Sequence, residues 1–95
     1  MIIRWEKGQD YYLVHVHQDM FGDWLVTRVW GIRGTQYGGL KHTLVSSPEA
    51  AAVLVEDVRH IQESRGFHQV FAARDPQEIP SELQDTMKGE LPFTD

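Results

Sequence analysis

Between Ser46 and Phe67 the run SSPEAAAVLVEDVRHIQESRGF places Ala51, Leu54, Val55, Val58 and Ile61 at three- and four-residue intervals, one apolar stripe on an otherwise polar helix. Ser46 or Ser47 can cap its start. Glu49 stands at the capping-box position for Ser46, and Pro48 falls in the first turn, where a missing N–H costs nothing. Gly66 supplies a left-handed stop and Phe67 folds back. A helix with a single apolar stripe must bury it against another layer, so what precedes it decides the fold.

What precedes it alternates with period two. YYLVHVH, residues 11–17, sets Tyr12, Val14 and Val16 against Tyr11, Leu13, His15 and His17. WLVTRVWG, residues 24–31, sets Leu25, Thr27 and Val29 against Trp24, Val26, Arg28 and Trp30, and QDMFGD joins the two as a hairpin. GLKHTLV, residues 39–45, sets Leu40, His42 and Leu44 against Lys41, Thr43 and Val45. IIRWE near the start is expected as an added edge strand, and FHQVFAA, residues 67–73, as a further strand or a packing segment. The expectation is an α+β domain over residues 1–73, a small antiparallel sheet with one amphipathic helix packed on one face.

From residue 74 the character changes. RDPQEIPSELQDTMKGELPFTD, residues 74–95, carries three of the four prolines and little periodicity, and reads as an acidic, mostly flexible tail. Ser81 with Gln84 three residues on allows a short helix there. The net charge of −5 is concentrated in this segment: residues 1–66 hold seven cations against eight acids, and residues 67–95 two against six. The acidity therefore does not exclude a polyanionic ligand on the folded part, although such affinity rests on cations meeting phosphates.

With no cysteine, disulfides, thiolate zinc sites and thiol catalysis are excluded. No stretch approaches a membrane span and the charged N-terminus lacks a signal-peptide core, so a cytoplasmic protein with no membrane partner is expected. No nucleophile and base stand together. Glu56 and Asp57 point apart on the helix, and Gly31, Gly34, Gly38 and Gly39 lack the Lys-Ser/Thr ending of a nucleotide cradle. A non-enzymatic protein without cofactor follows. His15 and His17 share a strand face at metal-ligand reach, with His42 as a possible third; the plainer reading is two polar residues on the wet face of a sheet.

The stretch RVWGIRGTQYGGLKH, residues 28–42, concentrates the groups that a nucleic-acid surface needs. Trp30 offers a stacking plane with Arg28 two positions earlier on its face; Arg33 and Lys41 lie near across the turn, and Tyr37 adds a second platform. The competing reading makes Trp30 core packing and the cations a solvated strand surface.

From Phe21 to Phe67 the sequence resembles the WGR domain family, which has FG-x-W before a strand ending in WGR-x-G, a Gly-rich turn, a Ser-capped Ala-rich helix and an RG-aromatic close. The matching positions are Phe21, Gly22, Trp24, Trp30, Gly31, Gly34, Gly38, Gly39, Ala51 and Arg65-Gly66-Phe67. The resemblance implies an antiparallel sheet with one helix, and a module that binds DNA ends in poly(ADP-ribose) polymerases, its motif Trp stacking on a terminal sugar. Free-standing bacterial members look like nucleic-acid-binding modules, and this chain looks like that kind, with DNA favoured over RNA. Here the motif reads Trp30-Gly31-Ile32-Arg33-Gly34, so the Arg and the hydrophobic residue are exchanged. Strand alternation then turns Arg33 away from Trp30 unless Gly31 or Gly34 bulges the chain. The implied role passes to Trp30 by position and to Arg33 only through such a bulge.

Two further readings concern partners. The sheet surface or the acidic tail ending LPFTD would serve a protein-interaction module, or the tail would fold over Arg28, Arg33 and Lys41 as a phosphate mimic.

Overall fold

A computed structural model describes residues 1–74, and the acidic segment expected at 74–95 lies beyond them from residue 75 onward. The described elements are β1 (Ile2–Lys7), β2 (Asp10–Gln18), β3 (Trp24–Ile32), β4 (Gly38–Val45), α1 (Pro48–Ser64) and β5 (His68–Ala73). They build an α+β domain: a five-stranded sheet ordered β4-β3-β2-β1-β5, every neighbouring pair antiparallel, with one helix. IIRWE is therefore not an edge. It lies between β2 and β5, because α1 carries the chain from one side of the sheet to the other and returns β5 against the exposed flank of β1.

The helix forms where its stripe and caps require. Ser47 is the N-cap: its Oγ accepts the Ala50 N–H at 3.0 Å, Pro48 opens the first turn, and Glu49 places negative charge at the positive end of the dipole. Ser47→Ala is expected to cost about 1 kcal/mol, measured as a lower urea midpoint with unchanged slope. At the other end the Phe67 N–H reaches the Gln62 carbonyl at 3.0 Å and the Gly66 N–H reaches Glu63 at 3.1 Å, a Schellman closure that needs the positive φ of 94° at Gly66. The buried stripe is Ala51, Val55, Val58 and Gln62. Ile61, expected on it, is exposed, and Gln62, four residues after Val58, takes the buried place instead.

Ala51, Val55, Val58 and Phe67 pack on Ile3, Trp5, Val14 and Val26 of the sheet. The Trp5 indole N–H reaches Glu63 Oε2 at 3.2 Å, tying β1 to the last turn of the helix. On the opposite face Ile2, Tyr11, Leu13, Val29, Phe71 and Ala73 make a second apolar cluster. That face is not the wet one expected from His15 and His17: Tyr11, Leu13 and His15 are all buried. Alternation assigns residues to two sides but does not say that both sides are covered.

Candidate nucleic-acid interface

The helix leaves one corner of its face open. It starts beyond the Val45 end of β4 and finishes over β1, where Lys7 Nζ donates to the Arg65 carbonyl at 2.7 Å. The corner left bare is the far end of β3 and β4. Two rows of cross-strand neighbours occupy it. In one, Tyr12 of β2 faces Trp30 of β3, which faces Gly39 of β4; in the next, Val14 faces Arg28, which faces Lys41.

The first row is aromatic. The rings of Tyr12 and Trp30 lie 6.1 Å apart between centroids and 15° from parallel, a stacked pair. Trp30 is 39 % exposed. Its other edge rests on Gly39, where an added Cβ would sit 2.5 Å from indole Cζ2, so the missing side chain is what lets the indole lie down across β4. Gly31 and Gly38 face each other in the register; a Cβ on Gly31 would strike the Tyr37 carbonyl in the turn, and one on Gly38 the Trp30 carbonyl of β3. Gly34 turns the chain with φ 78° beside the Thr35 N–H bond to Ile32. Tyr37, exposed in this turn, stands at the rim.

The second row is cationic, and its arrangement costs stability, because like charges directly opposite on antiparallel strands repel. Arg28 and Lys41 are such a pair, and neither forms an ion pair among the described residues. Arg28 Nη2 has only a long 3.4 Å bond to Thr43 Oγ1, and its Nε is buried without a partner. A buried charged donor short of acceptors is a place where an anion gains most.

The end of α1 walls the corner. Together the rows and the wall enclose an open cavity of about 650 Å³ lined by Tyr12, Arg28, Trp30, Lys41, Arg65 and Phe67 among others. Arg65 was not among the sequence candidates. It is held by Gln62 Oε1 at 3.3 Å and lies 5.5 Å over the Phe67 ring, adding a third cation to the cavity. Its signal was present in the RG-aromatic close, but reads there only as a helix stop.

Arg33 goes elsewhere. The glycines do not bulge it back: Arg33 Nη1 pairs with Glu6 Oε1 at 3.0 Å on the opposite face, where Glu6 also holds Arg4 at 2.9 Å and Arg4 covers the Tyr11 ring at 4.6 Å. The expected cluster thus divides, with Arg28, Trp30, Tyr37 and Lys41 at one cavity and Arg33 across the sheet.

The histidines occupy that opposite face as well. The His15 and His17 rings stack at 4.4 Å, and Thr27 Oγ1 bonds both His17 Nε2 and His42 Nδ1 at 2.8 Å. No cluster of three metal-ligating groups forms among the described residues. Burial, then the His17 ring and the N-terminal ammonium, push His15 down to about 4; burial likewise holds His17 below its ordinary value. An unfolded chain protonates its histidines near pH 6.5 while folded His15 stays neutral, so the unfolded state binds the extra proton between these values. Stability from this group is full above about pH 6.5 and is lost progressively as the pH falls towards 4. His15→Asn flattens that part of the profile in urea titrations at stepped pH.

No protein-family model, curated protein or solved structure matches this chain. Among the described residues no helix is long and apolar enough to cross a membrane.

Proposed function

We propose that this is a WGR-like, non-enzymatic nucleic-acid-binding module of the free-standing bacterial kind, working in the cytoplasm and taking DNA ends or single strands at the corner that α1 leaves open. Trp30, backed by Tyr12, offers the stacking plane, Arg28 and Lys41 receive phosphate, Arg65 closes the wall, and Tyr37 extends the platform at the rim. The observation that carries this reading is the Arg28–Lys41 pair. Two cations stand opposite each other on neighbouring strands, one with a buried donor lacking an acceptor, immediately beside a stacked, part-exposed indole. An anion between them converts a repulsion into two charge-assisted contacts.

The test is fluorescence anisotropy with labelled single-stranded, blunt-duplex and nicked DNA at two salt concentrations. Saturable binding that weakens with salt is expected, and Arg28→Gln or Lys41→Gln each reduces the salt slope by about 1. Lys41→Glu is expected to abolish binding while raising stability by about 0.2–1 kcal/mol, since it turns a repulsive cross-strand pair into an attractive one. Absence of salt-sensitive binding by the full chain rejects the reading.

A protein-interaction module is the second reading. It is favoured by β4, an edge strand whose Leu40 and Leu44 are exposed and which can accept an extended peptide as a sixth strand. Leu44→Lys weakens such an association and leaves DNA binding unchanged, which separates the two surfaces.

A further inference from the structure

The β4 edge of the sheet is open, and its residues complement themselves. We propose that β4 is the interface of a homodimer, pairing antiparallel with β4 of a second copy about a two-fold axis at His42.

β4 ends the sheet, and among the described residues no strand lies along its other side. Edge strands are commonly blunted by proline, by a bulge or by exposed charge. GGLKHTLV holds no proline, its register with β3 runs unbroken, and its one formal charge, Lys41, shares a row with Val14 on the side facing α1. The other side presents Leu40, His42 and Leu44, all exposed, the leucines at 42 % and 66 %.

The backbone groups that this edge offers follow from its pairing with β3. The Ile32 N–H bonds the Tyr37 carbonyl at 3.1 Å, so that pair is of the hydrogen-bonded kind, and alternation along the register turns Gly39, Lys41, Thr43 and Val45 inward to β3. The N–H and C=O groups of Leu40, His42 and Leu44 therefore point outward. A second β4 meets them only with its own outward residues, which puts the axis at a residue and not between two.

Three central positions are then available. At Lys41 the axis sets two ammonium groups directly opposite each other, which repel. At Thr43 it sets Leu44 against His42 and Leu40 against Ser46, each leucine facing a polar group. At His42 it sets Leu40 against Leu44 of the second copy, twice, and Lys41 against Thr43, so both exposed leucines are covered and no formal like charges meet. The His42 ring is bonded to Thr27 Oγ1 on its own sheet at 2.8 Å, which leans it towards β3 and away from its counterpart. Such an axis stands perpendicular to the sheet, so both helices and both Arg28–Lys41 rows come to one side. On the nucleic-acid reading above, the dimer offers one ligand two cavities; the dimer itself does not rest on that reading.

The test uses the full chain without nucleic acid. In sedimentation equilibrium from about 0.01 to about 1 mM, the average mass is expected to rise from monomer towards dimer, since a strand-edge contact belongs to the small, transient class of interfaces. Leu44→Lys, at an exposed position, is expected to keep the fold and stay monomeric throughout. Disulfide formation reads the register, because the chain has no cysteine of its own. With the axis at His42, position 40 of one copy and position 44 of the other lie about 5.5 Å apart between Cα atoms, within disulfide reach, whereas like positions are displaced by four residues, about 14 Å. Leu40→Cys and Leu44→Cys chains mixed in equal amounts are expected to cross-link roughly tenfold faster than either alone. A parent chain that is monomeric at every concentration overturns the proposal and leaves β4 to an extended peptide of another protein. A dimer unaffected by Leu44→Lys, or a mixture that cross-links no faster than its components, overturns it as well, because the contact then lies elsewhere or in another register.

Discussion

Trp5→Ala is expected to lower the unfolding free energy by about 3–5 kcal/mol, a large part of what a domain of this size possesses. Trp5 is fully buried on the interior strand β1, beneath α1, in one cluster with Ile3, Val55, Val58 and Phe67. Removing its indole opens a cavity between sheet and helix and also leaves Glu63 without the indole N–H. Because β1 joins the β2 side of the sheet to β5, the loss is global, and the measurement is a fall in urea midpoint seen equally by circular dichroism and by fluorescence. A loss below about 1 kcal/mol would mean that helix and sheet are held together elsewhere than at this cluster.

Trp30→Ala is expected to do the reverse. The residue is at the open corner, part-exposed, stacked on Tyr12 and resting on Gly39, so its removal costs about 1 kcal/mol of stability, the worth of one surface aromatic pair. DNA affinity falls roughly 10- to 100-fold, since one base or sugar stacked on an aromatic ring is worth about 1–3 kcal/mol. Anisotropy titrations at fixed salt measure the affinity, and urea unfolding of the same preparation measures stability. A variant that loses stability as Trp5→Ala does, or binds as tightly as the parent, leaves Trp30 a packing residue and removes the stacking plane from the proposed function.

Much of the architecture is legible in the order of residues. The stripe from Ala51 to Val58, the serine caps and Gly66 define α1, and period-two alternation defines β2, β3 and β4 to within a residue at their ends. The same alternation places Arg28 with Trp30 and turns Arg33 to the other side, which the Glu6 pair in the structure matches. The position of β1 was not legible. Its IIRWE pattern reads equally well at an edge or inside, because a strand apolar on both faces differs from an edge only in what pairs with its second flank. Arg65 escaped for a similar reason: it lies beyond the helix end in sequence and lines the cavity only through the packing of α1 on the sheet.

The sequence by itself determined which side chains share a face, since strand and helix periods are properties of the backbone and act within a few residues. It also determined where the helix begins and ends, since caps are local hydrogen bonds. Only the tertiary structure decided that β5 closes on β1, that the Arg28 and Lys41 rows meet the last turn of α1 to form a cavity, and that the opposite face is buried as thoroughly as the helix side. Those outcomes depend on contacts between residues far apart in the chain, selected by the total apolar area that a particular strand order removes from water.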